Sequence, residues 1–212
     1  MPNQSAIQEQ VFAFLSTQEA GAGKPMHRIN THAASVFLID ERALKIKRAV
    51  KFPFLDYSTL ERRKAACEAE LNVNRPFAPQ IYRGILVITS EADGRLALDG
   101  NGTPVEYAVE MARFDENATF DHLAERGEIN HECADALART IARAHDRVPV
   151  VACEPWLDAL GRFLEQNDSA FRETPELFLQ GDASALGRAS RAALDRLRPL
   201  LLERGEHGLV RR

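Results

Sequence analysis

Residues 43–50 alternate as a strand with two unlike faces does. Val36-Phe37-Leu38-Ile39 is a β-rich run, Asp40-Glu41-Arg42 can turn the chain, and Ala43 to Val50 then sets Leu44 and Ile46 against Lys45 and Lys47. Successive side chains of a strand point to opposite faces, so the aliphatics anchor one face and the lysines share the other. The stretch predicts a β-hairpin with a basic face. Ser58-Thr59-Leu60-Glu61 follows with capping-box spacing, and good helix formers run from Leu60 to about Asn74, with Pro76 and Pro79 beyond. A helix is predicted there. Ile81 to Thr89, Arg95 to Leu98 and Val105 to Met111 read as further strands, turned at Asp93-Gly94 and Gly100-Asn101-Gly102.

Ahead of the hairpin, Ile7 to Leu15 has helical apolar spacing, and Ala20-Gly21-Ala22-Gly23 should end that helix. After about Arg113 the pattern turns helical. Phe120 to Arg126, His131 to His145, Pro155 to Gln166 and Ser184 to Glu203 are predicted helices; the second carries Ala134, Leu137, Ala138 and Ile141 on one stripe. Gly205 and Gly208 should mark the end of the last. The expected organisation is an N-terminal helix and connector (1–27), a β-rich lobe (28–113) and a helical portion (114–212).

Length and charge narrow the class. The chain has 212 residues, 45% of them apolar, and a formal charge of −4. That suits one domain with a substantial core or two small lobes, and it gives no general electrostatic case for a nucleic-acid or membrane partner. Cys67, Cys133 and Cys153 are far apart and show no C-x-x-C spacing, as expected of reduced cysteines in the cytoplasm. No export signal and no run of about 18 apolar residues is present.

Several motifs fail on inspection. Gly21-Ala22-Gly23-Lys24-Pro25 lacks the first glycine and the final Ser or Thr of a phosphate loop, with Gln18 and Pro25 in their places. Gly181-Asp182 reads as a turn or cap, and His145-Asp146 as a helix end. His27, His32, His122, His131 and His207 show no metal-ligand spacing, and the serines no nucleophile elbow, so no catalytic or metal-binding residue is assigned. What survives is Lys45 or Lys47 on a strand with Glu68 or Glu70 on the following helix. A strand lysine oriented by a helix carboxylate is the arrangement that holds nucleotide phosphates in kinases, although such pairs also occur on solvated faces. Glu70 shares a helix face with Cys67 and Asn74, which favours it as the inward partner.

Thr31-His32-Ala33-Ala34-Ser35-Val36-Phe37-Leu38-Ile39, the run from Ala43 to Leu60, Cys67-Glu68-Ala69-Glu70-Leu71-Asn72-Val73-Asn74-Arg75 and Ala78-Pro79-Gln80-Ile81-Tyr82-Arg83-Gly84 together resemble aminoglycoside-phosphotransferase-like proteins. The likeness is to the bacterial subgroup in which this kinase-like domain is often joined to a C-terminal P-loop ATPase domain, and it extends over most of residues 28–212. It implies an α+β, protein-kinase-like fold: an antiparallel β-sheet N-lobe followed by an incomplete α-helical C-lobe. It implies ATP as cofactor with Mg²⁺, and a small-molecule hydroxyl as acceptor. By the same resemblance Lys45 is the phosphate-contacting lysine with Lys47 a close rival, and Glu70 is its partner. Val109-Glu110-Met111-Ala112-Arg113 resembles the hinge, with backbone groups around Glu110 and Met111 pairing with adenine. Ala33, Ala34 and Ser35 stand where small residues approach the phosphates.

The family's H-G-D-x-x-x-x-N loop, which carries the catalytic Asp and a metal-binding Asn, is absent. In the subgroup it is expected just beyond a segment like His207-Gly208-Leu209-Val210-Arg211-Arg212. The expectation is therefore the N-terminal part of a phosphotransferase, inactive as it stands, with self-association through apolar helix faces. The alternative is a noncatalytic nucleotide-sensing or protein-interaction module.

Overall fold

The computed structural model describes residues 4–17 and 27–211. The chain divides into two compact units, Met1–Ile129 and Asn130–Arg212. The expected connector at Ala20–Gly23 and the rejected phosphate-loop segment Gly21–Pro25 lie outside the described residues.

The first unit is built on a six-stranded antiparallel sheet. Its strands are β1 (His27–Asn30), β2 (Ala34–Ile39), β3 (Arg42–Lys47), β6 (Tyr82–Ser90), β7 (Leu96–Leu98) and β8 (Thr103–Ala112), in the order β1-β2-β3-β8-β6-β7. β4 (Lys51–Phe52) and β5 (Leu55–Asp56) form a separate small hairpin. The predicted hairpin is the β2–β3 pair, with Val36 opposite Lys45 and Phe37 opposite Leu44. Its turn places Asp40 at φ 49°, a left-handed conformation that Asp tolerates better than most residues. β1 and the β4–β5 pair are too short to show a period in the sequence.

Each sheet face carries one helix. α1 (Gln4–Thr17) lays Val11, Phe12 and Leu15 on one face, in a core with Phe37, Leu44, Ile46, Ile88 and Ala108. Burial of each such side chain contributes about 1.5–3 kcal/mol, and a helix this short is marginal without it. α2 (Leu60–Asn74) covers the other face, where Cys67 packs among Leu38, Ala43, Val109 and Met111. Its N-cap is Thr59 rather than Ser58: the Thr59 hydroxyl accepts from the Arg62 amide, while Ser58 donates to Asp56. A 3-10 turn (Glu116–Ala118) and α3 (Phe120–Glu125) complete this unit.

The second unit holds α4 (His131–Arg147), α5 (Glu154–Glu173) and α6 (Gln180–Glu206). α5 and α6 are longer than the sequence suggests, and they pack on each other. Gly205 lies inside α6 instead of ending it, and a Cβ there would stand 2.5 Å from the Cys153 Cβ. Gly208, at φ 66°, is the actual terminator. Gly181 and Asp182 form the first turn of α6. The apolar stripe of α4 is present, yet no residue of that helix is buried and Leu137 and Ile141 are exposed. Among the described residues no helix is long and apolar enough to cross a membrane.

Candidate functional site

Alternation along β3 sends Leu44 and Ile46 into the α1-side core and leaves Lys45 and Lys47 facing α2. On α2 the spacing of Arg63, Cys67, Glu70 and Asn74 puts these residues on one inward stripe. The two patterns meet at Glu70. Lys45 Nζ donates to Glu70 Oε1 at 2.8 Å, and Lys47 Nζ donates to Glu70 Oε2. One carboxylate thus holds two ammonium groups, leaving a net positive charge at the cluster.

The surroundings differ for the two lysines. The Lys47 side chain is 10% exposed, as is that of Glu70, and its ammonium lies 5.6 Å from the Tyr57 ring centroid. The Lys45 side chain is 31% exposed. Burial pushes the Glu70 carboxyl up, but hydrogen bonds from Lys45 and Lys47 and their charges outweigh it and hold the group below its ordinary value. Burial also pushes the Cys67 thiol up to about 12, so that sulfur is no nucleophile at neutral pH. Glu68, the other carboxylate that the sequence offers, is half exposed and pairs along its own helix with Lys64 at 3.8 Å.

Glu110 and Met111, the expected hinge residues, are strand residues here. Both lie inside β8, between β3 and β6: Glu110 faces Leu44 and Gly84 across the ladders, and Met111 faces Ala43 and Tyr82. Their main-chain groups point into those ladders, not to a free edge. Even the next amides are engaged, Ala112 N–H by the Ile81 carbonyl at 2.8 Å and Arg113 N–H by the Glu41 carbonyl at 2.9 Å. The Glu110 carboxylate lies 3.5 Å from Arg42, and the Met111 side chain packs with Ala43, Cys67 and Val109. The Ser35 hydroxyl is likewise taken, donating to Asn30 and accepting from Arg28.

A second polar constellation goes beyond the sequence expectations. Arg63 and Glu106 are both fully buried, with Arg63 Nε 2.9 Å from each Glu106 oxygen. The remaining guanidinium donors reach the Tyr57 carbonyl at 3.1 Å and Gln4 Oε1 at 2.9 Å. Gln8, buried on α1, donates to Glu106 at 2.8 Å and to the Lys47 carbonyl at 2.9 Å, and accepts from the Ala49 amide at 2.8 Å. No buried side-chain polar atom among the described residues lacks a partner. The sequence signal for this network is Glu106, a charge in phase with Ala108 on the core-facing side of β8.

The matching relatives include uncharacterized proteins of Mycobacterium tuberculosis (strains ATCC 25618 / H37Rv and CDC 1551 / Oshkosh) and Mycobacterium bovis (strain ATCC BAA-935 / AF2122/97). Each is 29% identical over 155 residues, a match covering 72% of this chain and 29% of the relative. The chain thus spans less than a third of the length of the curated relatives it matches. No family model matches the chain, and no solved structure matches it.

Proposed function

We propose that the sheet unit is the nucleotide-binding lobe of a protein-kinase-like, ATP-dependent small-molecule phosphotransferase of the aminoglycoside-phosphotransferase-like kind. The observation that carries this reading is the grip of Lys45 and Lys47 on Glu70. In protein kinases a lysine of the third strand, oriented by a glutamate of the following helix, contacts the nucleotide phosphates. Lys45 lies on the third strand in chain order and Glu70 on the next long helix. Lys45, the more exposed lysine, is the phosphate contact; Lys47, enclosed beside Tyr57, holds Glu70 in place.

The residues fit a polyphosphate better than a metal. Among the described residues no three His, Cys, Asp or Glu side chains stand together as a cation site, so no magnesium step is assigned to them. The sequence also lacks the H-G-D-x-x-x-x-N loop that would activate an acceptor hydroxyl. This polypeptide is therefore assigned ATP binding without phosphoryl transfer, which equally suits a nucleotide-sensing module.

Calorimetric titration of the 212-residue chain with ATP tests the assignment. Saturable binding, weakened at least about tenfold by Lys45→Ala through loss of a charge-assisted contact, is the expected result. Absence of saturable binding, or binding indifferent to Lys45→Ala, overturns it. A stable protein complex insensitive to both ATP and Lys45→Ala would support an interaction module instead.

A further inference from the structure

The buried network and the lysine cluster share one residue. Lys47 gives its ammonium to Glu70 and its carbonyl to Gln8. From Gln8 the connections run to Glu106, from Glu106 to Arg63, and from Arg63 along α2 back to Glu70. Four elements, α1, β3, α2 and β8, are thereby closed into a ring. Its α2 side spans two helical turns, about 10 Å of stiff rod. A ring so closed leaves little freedom in the spacing between β3 and α2, and that spacing decides whether Glu70 reaches the lysines.

We propose that Gln8, Arg63 and Glu106 are positioning residues for the Lys45–Lys47–Glu70 cluster, and that the docking of α1 is what holds the cluster assembled. When α1 is seated, Gln8 occupies the Lys47 carbonyl, the Ala49 amide and Glu106 together. When it is displaced, three buried polar groups lose a partner at once, and the end of β3 and the first turns of α2 relax toward water. Glu70 then loses its fixed distance from the lysines. α1 in this way acts on the site from the opposite face of the sheet, through the Lys47 main chain rather than through the charged groups. The relevance to phosphate binding rests on the nucleotide reading above; the coupling within the unit does not.

The test uses lysine acylation of the full chain followed by peptide mass spectrometry, with no nucleotide present. Lys51, whose side chain is 72% exposed, serves as the internal reference. Gln8→Ala should raise labelling of Lys47 relative to Lys51 by about fivefold, the factor given by a net loss of about 1 kcal/mol of hydrogen bonding. Gln4→Ala, which removes only the outer acceptor of Arg63, should give a smaller rise in the same direction and remains informative if Gln8→Ala fails to fold. Ile39→Val lowers stability in the same core at a position paired with Arg42 rather than with a ring residue, and should leave the Lys47 to Lys51 ratio at its wild-type value. An unchanged ratio in the glutamine variants, or an equal rise in Ile39→Val, overturns the proposal. Because ATP is absent, neither result depends on whether the chain binds nucleotide.

Discussion

Gln8 and Lys47, 39 residues apart in the chain, are joined by a buried hydrogen bond from the Gln8 amide to the Lys47 carbonyl. That bond connects a helix on one face of the sheet to a residue whose ammonium serves the other face. The two lysines of β3 consequently have different neighbours and different expected roles.

Substitution should separate them. Lys45→Ala removes a part-exposed ammonium and leaves Glu70 paired with Lys47, so stability should change by less than about 1 kcal/mol, while the proposed ATP binding should weaken by at least about tenfold. Lys47→Ala strips a buried carboxylate of its enclosed partner and should cost about 1–3 kcal/mol. Denaturant titration alongside nucleotide titration of both variants checks the contrast.

The Arg63–Glu106 pair should respond to single and double replacement in opposite ways. Either Glu106→Ala or Arg63→Ala leaves one uncompensated charge in the interior and should cost about 3–5 kcal/mol. The double change Arg63→Met with Glu106→Leu restores a neutral, filled interior and should recover most of that loss. Hydrogen exchange of the β8 amides reads the difference within this unit.

Acid should weaken the site through Glu70. Its folded-state pKa lies below the ordinary value of 4.5, so its contribution to stability is fully present above that value. The contribution is lost as pH falls from there through the lowered folded value. Stability measured against pH should fall less steeply in this acid range for Glu70→Gln than for the wild type.

Cys67 should resist thiol reagents. It is fully buried and its thiol is pushed up to about 12, so at a pH of about 8 the native chain should be labelled there only after denaturant is added. Labelling of Cys67 at the rate of a free thiol would show that α2 leaves the sheet readily.

Alanine at Gly205 should destabilise, against the usual rule. A helical Gly→Ala change ordinarily gains about 1 kcal/mol. Here the new Cβ would stand 2.5 Å from the Cys153 Cβ, and overpacking of that kind costs about 1–3 kcal/mol. Thermal unfolding of Gly205→Ala gives the sign directly.

How much of this is legible in the sequence follows from the range of the interactions. The hairpin and α2 announce themselves because their periods are local, and helical phase alone favours Glu70 over Glu68. The cluster needs only those two phases and one packing event. The Gln8–Glu106 bond spans 98 residues and Arg63–Glu106 spans 43, and nothing near any of the three specifies a partner. Gln8 reads as a solvated helix residue until the charge in the core phase of β8 is noticed. For Glu110 and Met111 the end of a strand is visible in sequence, but which strands flank it is not.

The link from α1 to β3 ends on a carbonyl oxygen, a group every amino acid carries. Natural variation at position 47 can therefore discard the ammonium, and with it one hold on Glu70, while the clamp from the far face of the sheet persists unaltered. Changes at position 8 have no such shelter, for there the side chain itself makes all three bonds.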